Sequence, residues 1–257
     1  MSSMIVIPTK VYHHALAHGF IPYRDKLYIE YLFDNQTVND TSGNNRHGVI
    51  SGPEKFSVGE IGDSQYSFRV DNGNAYISIP FEDTRTWESA SVSMWVKWDG
   101  FTFSHGEAYL AFGSLYIANH YTWKGDWIPP YRYYFVHVNK DCDIQKTIPV
   151  PNEDKYNWVH LGLTADNSTK KVRGFRNGQL VVQFSYDVDN LMNTLFCGSG
   201  NRFIFRHGWG CPNPSNYSNR MIGNVDMVRI WKNVALEPSD MELVYFEDSK
   251  KYRLSLK

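Results

Sequence analysis

Three stretches of this 257-residue chain hold side chains that could do chemistry. The first, NDTSGNNRHG at 39–48, has no apolar side chain and follows the strand-like LYIEYLFD of residues 27–34. Its Asp, Asn, Ser and Gly suit ordinary turns, because they accept positive φ or hydrogen-bond their own backbone. The same oxygens would also suit a hard cation such as calcium. The second stretch, YTWKGDWIPPYRYY at 121–134, sets Trp123, Trp127 and Tyr131 among Lys, Gly, Asp and two prolines. The third, RHGWGCPNPSNYSNR at 206–220, opens with Arg206, His207 and Trp209. Exposed aromatic faces beside polar groups stack on sugar rings or anchor protein interfaces, whereas indoles folded back would merely cover a core.

Other chemistry is poorly supported. His13, His14 and His18 form a histidine cluster, and the last two would share a helical face. Gly19 and Pro22 oppose a stable helix there, and no third zinc ligand is near. Cys142, Cys197 and Cys211 are too few and too irregular for a disulfide framework or a zinc ribbon, so reduced thiols are expected. A Cys197, His207, Cys211 metal set and a Cys197–Cys211 bridge are the weaker readings. No G-x-S-x-G, Walker loop or H-E-x-x-H occurs. With 26 basic and 27 acidic residues the net charge is −1, which argues against nucleic acid as a partner.

The elements that must position these loops are strands. Aromatics reach 16% of the chain, and such residues fit a pleated, half-buried surface. ASVSMWVKW at 90–98 alternates, with Val92, Met94, Val96 and Trp98 on one face and Ser91, Ser93, Trp95 and Lys97 on the other. Similar runs recur to NVDMVRIW, and Asn177-Gly178 between VRGFR and QLVVQF predicts a type I′ hairpin. LEPSDMELVYF predicts a short helix, with Pro238 in its first turn and Met241, Val244 and Tyr245 on one buried stripe. The expected architecture is all-β: a two-sheet antiparallel jelly-roll sandwich over 26–247 with a short C-terminal helix, an arm at 1–25 and a tail at 248–257. Its core is predicted to include Phe33, Met94, Val96, Trp158, Leu161, Leu163, Val182 and Val228.

Four segments in order carry a family resemblance: YLFDNQTVNDTSGNNRHG; AYISIP followed by SVSMWVKW; NWVHLGLTADNSTKKVRGFRNGQLV; and MIGNVDMVRIWKNVALEPSDMELVY. Together they resemble the laminin-G-like branch of the concanavalin A-like lectin/glucanase superfamily. The resemblance implies that the first and last core strands are neighbours and that loops at one rim carry binding. It also implies calcium in many members, and makes Asp40, Asn44 and Asp226 a candidate ligand set. It does not imply one function, since the fold hosts lectins, hydrolases, adhesion modules and structural virion proteins. The laminarinase-like hydrolases among them carry acids at alternating positions of one strand, all facing one sugar, and no strand here matches. EDTRTWE at 82–88 has the wrong spacing.

The expected function is therefore noncatalytic recognition. The N-terminal MIVI is too short for a secretory signal, and residues 1–25 include Ile5, Val6, Ile7, Val11, Tyr12, Leu16, Phe20 and Ile21, an apolar area that needs a partner. These features suggest a protein made in the cytoplasm and carried on a virion or similar particle, such as a phage head or tail. The arm would hold it there and the sandwich rim would meet a glycan or cell surface. A free soluble lectin and a glycoside hydrolase with an unrecognised acid pair are the alternatives.

Overall fold

The alternation centred on ASVSMWVKW becomes a thirteen-residue strand, β6 (Ser89–Phe101), near the middle of the main sheet. The computed structural model describes residues 20–53, 55–71, 75–101, 107–109, 116–118, 132–137, 145–196, 202–204, 207–208, 217–218 and 221–254. Eight antiparallel strands form the main sheet: β1 (Leu27–Tyr31), β3 (Lys55–Val58), β4 (Tyr66–Val70), β6, β11 (Trp158–Asp166), β12 (Lys171–Arg176), β13 (Gln179–Ser185) and β17 (Met221–Lys232). Their order is β13-β12-β11-β6-β17-β4-β3, and β1 also pairs with β17. The opposing layer combines β7 (Glu107–Tyr109), β8 (Tyr116–Ala118), β9 (Arg132–His137) and β10 (Gln145–Pro149) with the group β2 (Val49–Ser51), β5 (Tyr76–Ile79) and β14 (Arg202–Ile204). A small ladder joins β15 (His207–Gly208) to β16 (Tyr217–Ser218).

The core lies between the layers. Val92, Met94, Val96 and Trp98 of β6 and Leu161 and Leu163 of β11 meet Ile77, Ile79, Tyr133, Phe135 and Ile204 from the opposing strands. Phe33, Met94, Val96, Leu161, Leu163 and Val228 are buried there as expected, with Val182 packed at the margin. Trp158 is not in this core. It is three residues from Leu161, so the two-residue period turns it to the other face, against Ile61, Trp95 and Met227.

That other face is also covered. The predicted helix forms and runs further than expected, as α2 (Pro238–Leu254), after a shorter α1 (Leu191–Phe196). Asp240 caps it by accepting the Glu237 N–H at 3.0 Å. Met241 and Val244 point inward with Ile21, Leu27, Phe175, Trp231 and Leu236. Gly162 makes the approach feasible, since a Cβ there would stand 2.7 Å from the Met241 sulfur. Asp248, placed by the sequence in a tail, is buried because the longer helix delivers it to Arg229 and Trp95.

The hairpin forms at Asn177 (φ 49°) and Gly178 (φ 76°), with Arg176 paired to Gln179. The expected adjacency of first and last core strands holds too, with Glu30 opposite Arg229 and Tyr31 opposite Val228. β4 takes over the same edge of β17 farther along, with Val225 opposite Phe68. The changeover falls at an irregularity between Asp226 and Arg229, where Met227 adopts φ 47°. Among the described residues no helix is long and apolar enough to cross a membrane.

Candidate functional site

The NDTSGNNRHG loop is organised by Asp40. Oδ1 accepts the N–H groups of Glu30 and Ser42, each at 3.0 Å, and Oδ2 accepts that of Arg46 at 2.9 Å. The Asp40 N–H donates to His47 Nδ1 at 3.0 Å, and Asn44 Nδ2 donates to the Leu27 carbonyl at 2.7 Å. The Tyr31 hydroxyl donates to the Arg46 carbonyl at 2.6 Å. Burial opposes the charge on Asp40, but these donors outweigh it and hold the carboxyl below its ordinary pKa. The loop is thus stitched to β1 by turn chemistry.

Asp226 has a different setting. Oδ1 accepts the Met227 N–H at 2.7 Å, and the acidic groups it feels are Asp248 and Asp34. Ser64 lies beside the carboxyl and eases its charge, though its hydroxyl is directed to the Tyr66 carbonyl at 2.8 Å, and among the described residues Oδ2 has no donor within hydrogen-bond geometry. Burial drives the Asp226 pKa well above the carboxylate range, which favours the neutral acid. Asp40, Asn44 and Asp226 therefore do not form one oxygen shell: Asp40 is filled by N–H donors, Asn44 presents its amide N–H, and Asp226 is directed to a separate buried site. Among the described residues no group of three His, Cys, Asp or Glu is placed to hold a metal.

This geometry has a measurable outcome. Asp40→Ala leaves three backbone donors without their acceptor and is expected to cost about 2–3 kcal/mol in urea denaturation. A chelator is expected to leave the melting temperature of the native protein unchanged, since backbone N–H donors already occupy the Asp40 carboxylate. Because the folded pKa of Asp40 is depressed, its contribution is present above the unfolded value of about 4 and is lost as pH falls through the folded value.

The start of β9 is anchored by a polar lock. The Tyr133 hydroxyl of β9 donates to Asp154 Oδ2 at 2.8 Å, and the Arg176 guanidinium grips both oxygens of the same carboxylate, with Nε at 2.7 Å. This ties the start of β9 to β12 across the sandwich. Trp123, Trp127, Tyr131, Arg206 and Trp209 lie outside the described residues, as do the three cysteines, the histidine cluster and the arm up to residue 19. His207 is seen only as backbone, paired with Ser218, so β15 and β16 bracket the second polar loop.

Two of the three acids of EDTRTWE are engaged in local contacts. Glu82 accepts the Trp87 indole N–H at 2.7 Å and pairs with Lys232 and with Arg46 at 3.6 Å, while Asp83 accepts the Arg85 N–H at 2.9 Å.

A charged layer beneath α2 was not anticipated. Arg229 Nε donates to Glu30 Oε1 at 2.9 Å, and its Nη1 to Asp248 Oδ2 at 2.8 Å. Glu30 also receives Arg24 and the Thr41 hydroxyl, each at 2.8 Å, and Asp248 receives the Trp95 indole N–H at 3.1 Å. Burial raises the Glu30 pKa, but the two arginines more than reverse it. His160 sits beside this layer with ring centroids 5.4 Å from Trp95 and 5.8 Å from Tyr245. Burial, then Arg229, drives its pKa down to about 3, so it is a neutral packing group.

No family model matches the sequence, and no curated protein does. Solved structures do match. Domain 4 of AbnA, a GH43 extracellular arabinanase from Geobacillus stearothermophilus in complex with arabinotriose, is 20% identical, with a TM-score of 0.57, covering 86% of this chain and 98% of that one. The binding domain of Botulinum neurotoxin DC in complex with SialylT is 13% identical, with a TM-score of 0.59, and that of Paraclostridial Mosquitocidal Protein 1 is 16% identical, with a TM-score of 0.57. Each match covers 86% of this chain, which spans about half of either toxin domain, 51% and 52% respectively. At these identities the likeness establishes a shared β-sandwich fold.

Proposed function

We propose that this chain is a noncatalytic recognition module that binds a glycan or a glycan-bearing receptor through the sandwich rim, and that it is displayed on a larger particle such as a phage head or tail. The observation that carries the reading is the commitment of the acids. Glu30 and Asp248 serve Arg229, Asp154 serves Arg176 and Tyr133, Asp40 serves backbone donors, and Glu82 is shared among Lys232, Arg46 and Trp87. A hydrolase needs two carboxyls facing one sugar, and these acids are engaged elsewhere. Fold likeness to structures determined with arabinotriose and with SialylT supports the choice of ligand class.

The test is a glycan array with the native protein and with Trp123→Ala combined with Trp127→Ala. The double variant is expected to keep its melting temperature and to lose glycan binding by at least about tenfold. Release of reducing ends from a bound polysaccharide, abolished by changing one acid, would instead favour a hydrolase. For the particle, deletion of residues 2–19 is expected to leave the domain folded while abolishing copurification with a large assembly. Unaltered copurification would favour the free lectin.

A further inference from the structure

The segment between β10 and β11 is held more firmly than a connection requires, and it ends in an exposed pair of side chains. Asp154 closes a short turn with its N–H on the Pro151 carbonyl at 3.0 Å and is buried under Arg176 and Tyr133. Lys155, Tyr156 and Asn157 are then fixed by backbone donation to the carbonyls of Asn152, Trp98 and Asp154 at 3.3, 3.0 and 3.2 Å. On this rigid base Tyr156 is 56% exposed, and its backbone is left-handed at φ 67°. A bulky aromatic there is strained, and Asn or Gly would fit with less cost, so the backbone conformation gives no reason for a tyrosine.

The neighbouring charge indicates what the ring could meet. The Lys155 ammonium stands 4.8 Å from the Tyr156 ring centroid and 5.9 Å from that of Trp98. Among the described residues no carboxylate lies within ion-pair distance of it, and the adjacent Glu153 turns to Arg176 at 3.3 Å. Tyr23 also combines exposure with a left-handed backbone, but its neighbouring cations are committed, Arg24 to Glu30 and Lys26 to Asp25. Position strengthens the contrast. Pro149, the last residue of β10, pairs with Arg132, the first of β9, so Lys155 and Tyr156 follow from the end of the sheet where the chain arrives from residues 121–131.

We propose that Tyr156 and Lys155 form a subsite for an acidic sugar. The C–H face of a pyranose would stack on the Tyr156 ring, while the sugar carboxylate would pair with the Lys155 ammonium. The inference rests on the glycan-binding reading above and names its ligand class.

The test measures binding of 3′-sialyllactose beside lactose, and of trigalacturonate beside galactotriose, by calorimetry. The native protein is expected to prefer the acidic member of at least one pair. Lys155→Met should weaken that acidic probe by about tenfold and leave its neutral counterpart unchanged. Tyr156→Asn should weaken both members of the pair while the melting temperature holds or rises, because Asn accepts the left-handed backbone. Equal affinity within both pairs, or variants that bind as the native protein does, would overturn the subsite. If the Trp123→Ala, Trp127→Ala variant still lost binding in that case, the wider glycan reading would stand without it. Native protein that binds none of the four probes would also overturn the subsite, and the glycan array then judges the wider reading separately.

Discussion

Arg229→Met is expected to cost about 3–5 kcal/mol in urea denaturation at neutral pH. The side chain is buried between Glu30 and Asp248, and its loss strands two carboxylates under α2 with, among the described residues, Arg24, Thr41 and Trp95 as partners. The cost arises from what remains, since an uncompensated buried charge is worse than an absent pair. Combining Arg229→Met with Glu30→Gln and Asp248→Asn is therefore expected to recover most of the loss. The pH dependence should reverse. In the native protein the depressed pKa of Glu30 gives stability that is present above the unfolded value of about 4.3 and lost as pH falls through the folded value. Burial already holds Asp248 above its ordinary value in the native protein; without Arg229 it should rise further, and Glu30, left with Arg24 and Thr41, should rise too, so the variant should gain stability as pH falls from 7.5 to 5. A variant whose stability stayed flat over that interval would show that Arg229 is not the dominant partner.

Trp231→Ala should be nearly as damaging, at about 3–5 kcal/mol. The indole is fully buried among Ile21, Phe175, Leu236, Met241 and Val244, and its N–H donates to the Pro22 carbonyl at 2.9 Å. Trp231→Phe keeps most of the packing and is expected to cost about 1–2 kcal/mol, chiefly the orphaned carbonyl and the lost ring volume. The contact also redraws the arm. Ile21 is core, and the Phe20 N–H donates to Glu247 Oε2 at 3.2 Å, so residues 20–22 belong to the domain. Cutting at residue 22 would remove part of the fold, whereas cutting at 19 removes only what precedes it.

What the sequence made legible follows from periodicity and turn chemistry. The alternation of residues 90–98 assigns two faces correctly, and Asn177-Gly178 names its own turn because few other pairs accept two positive φ values. The same alternation separates Trp158 from Leu161, because an odd interval of three residues puts them on opposite faces of β11. Glu30 and Arg229 were legible in principle. Glu30 is the one charge of β1 and Arg229 lies within the apolar run MVRIW of β17, and placing those strands side by side sets the charges opposite each other. Asp248 was not legible, because the length of α2 depends on the packing it meets. Nor was the fate of the 39–48 loop, since oxygen-rich composition serves a cation and a turn alike, and only the N–H groups aimed at Asp40 separate them. Lys155 and Tyr156 left no trace, because a tyrosine conceals the left-handed backbone that an asparagine or glycine would have announced.

The arrangement around β17 has a consequence for how the chain is made. This strand is central, joined to β6 on one side and to β1 and β4 on the other, yet it is the last strand in the chain. Roughly 150 residues separate the end of β4 from the start of β17, which at ribosomal rates of 5–20 residues per second is a wait of about 8 to 30 s. Throughout that interval β1 and β4, joined about 30 residues later by β6, exist without the strand that unites them, presenting open hydrogen-bonding edges. The main sheet cannot zip progressively from the N-terminus. It must close late, by non-local pairing, in a step that is slow by nature and most exposed to association between nascent chains.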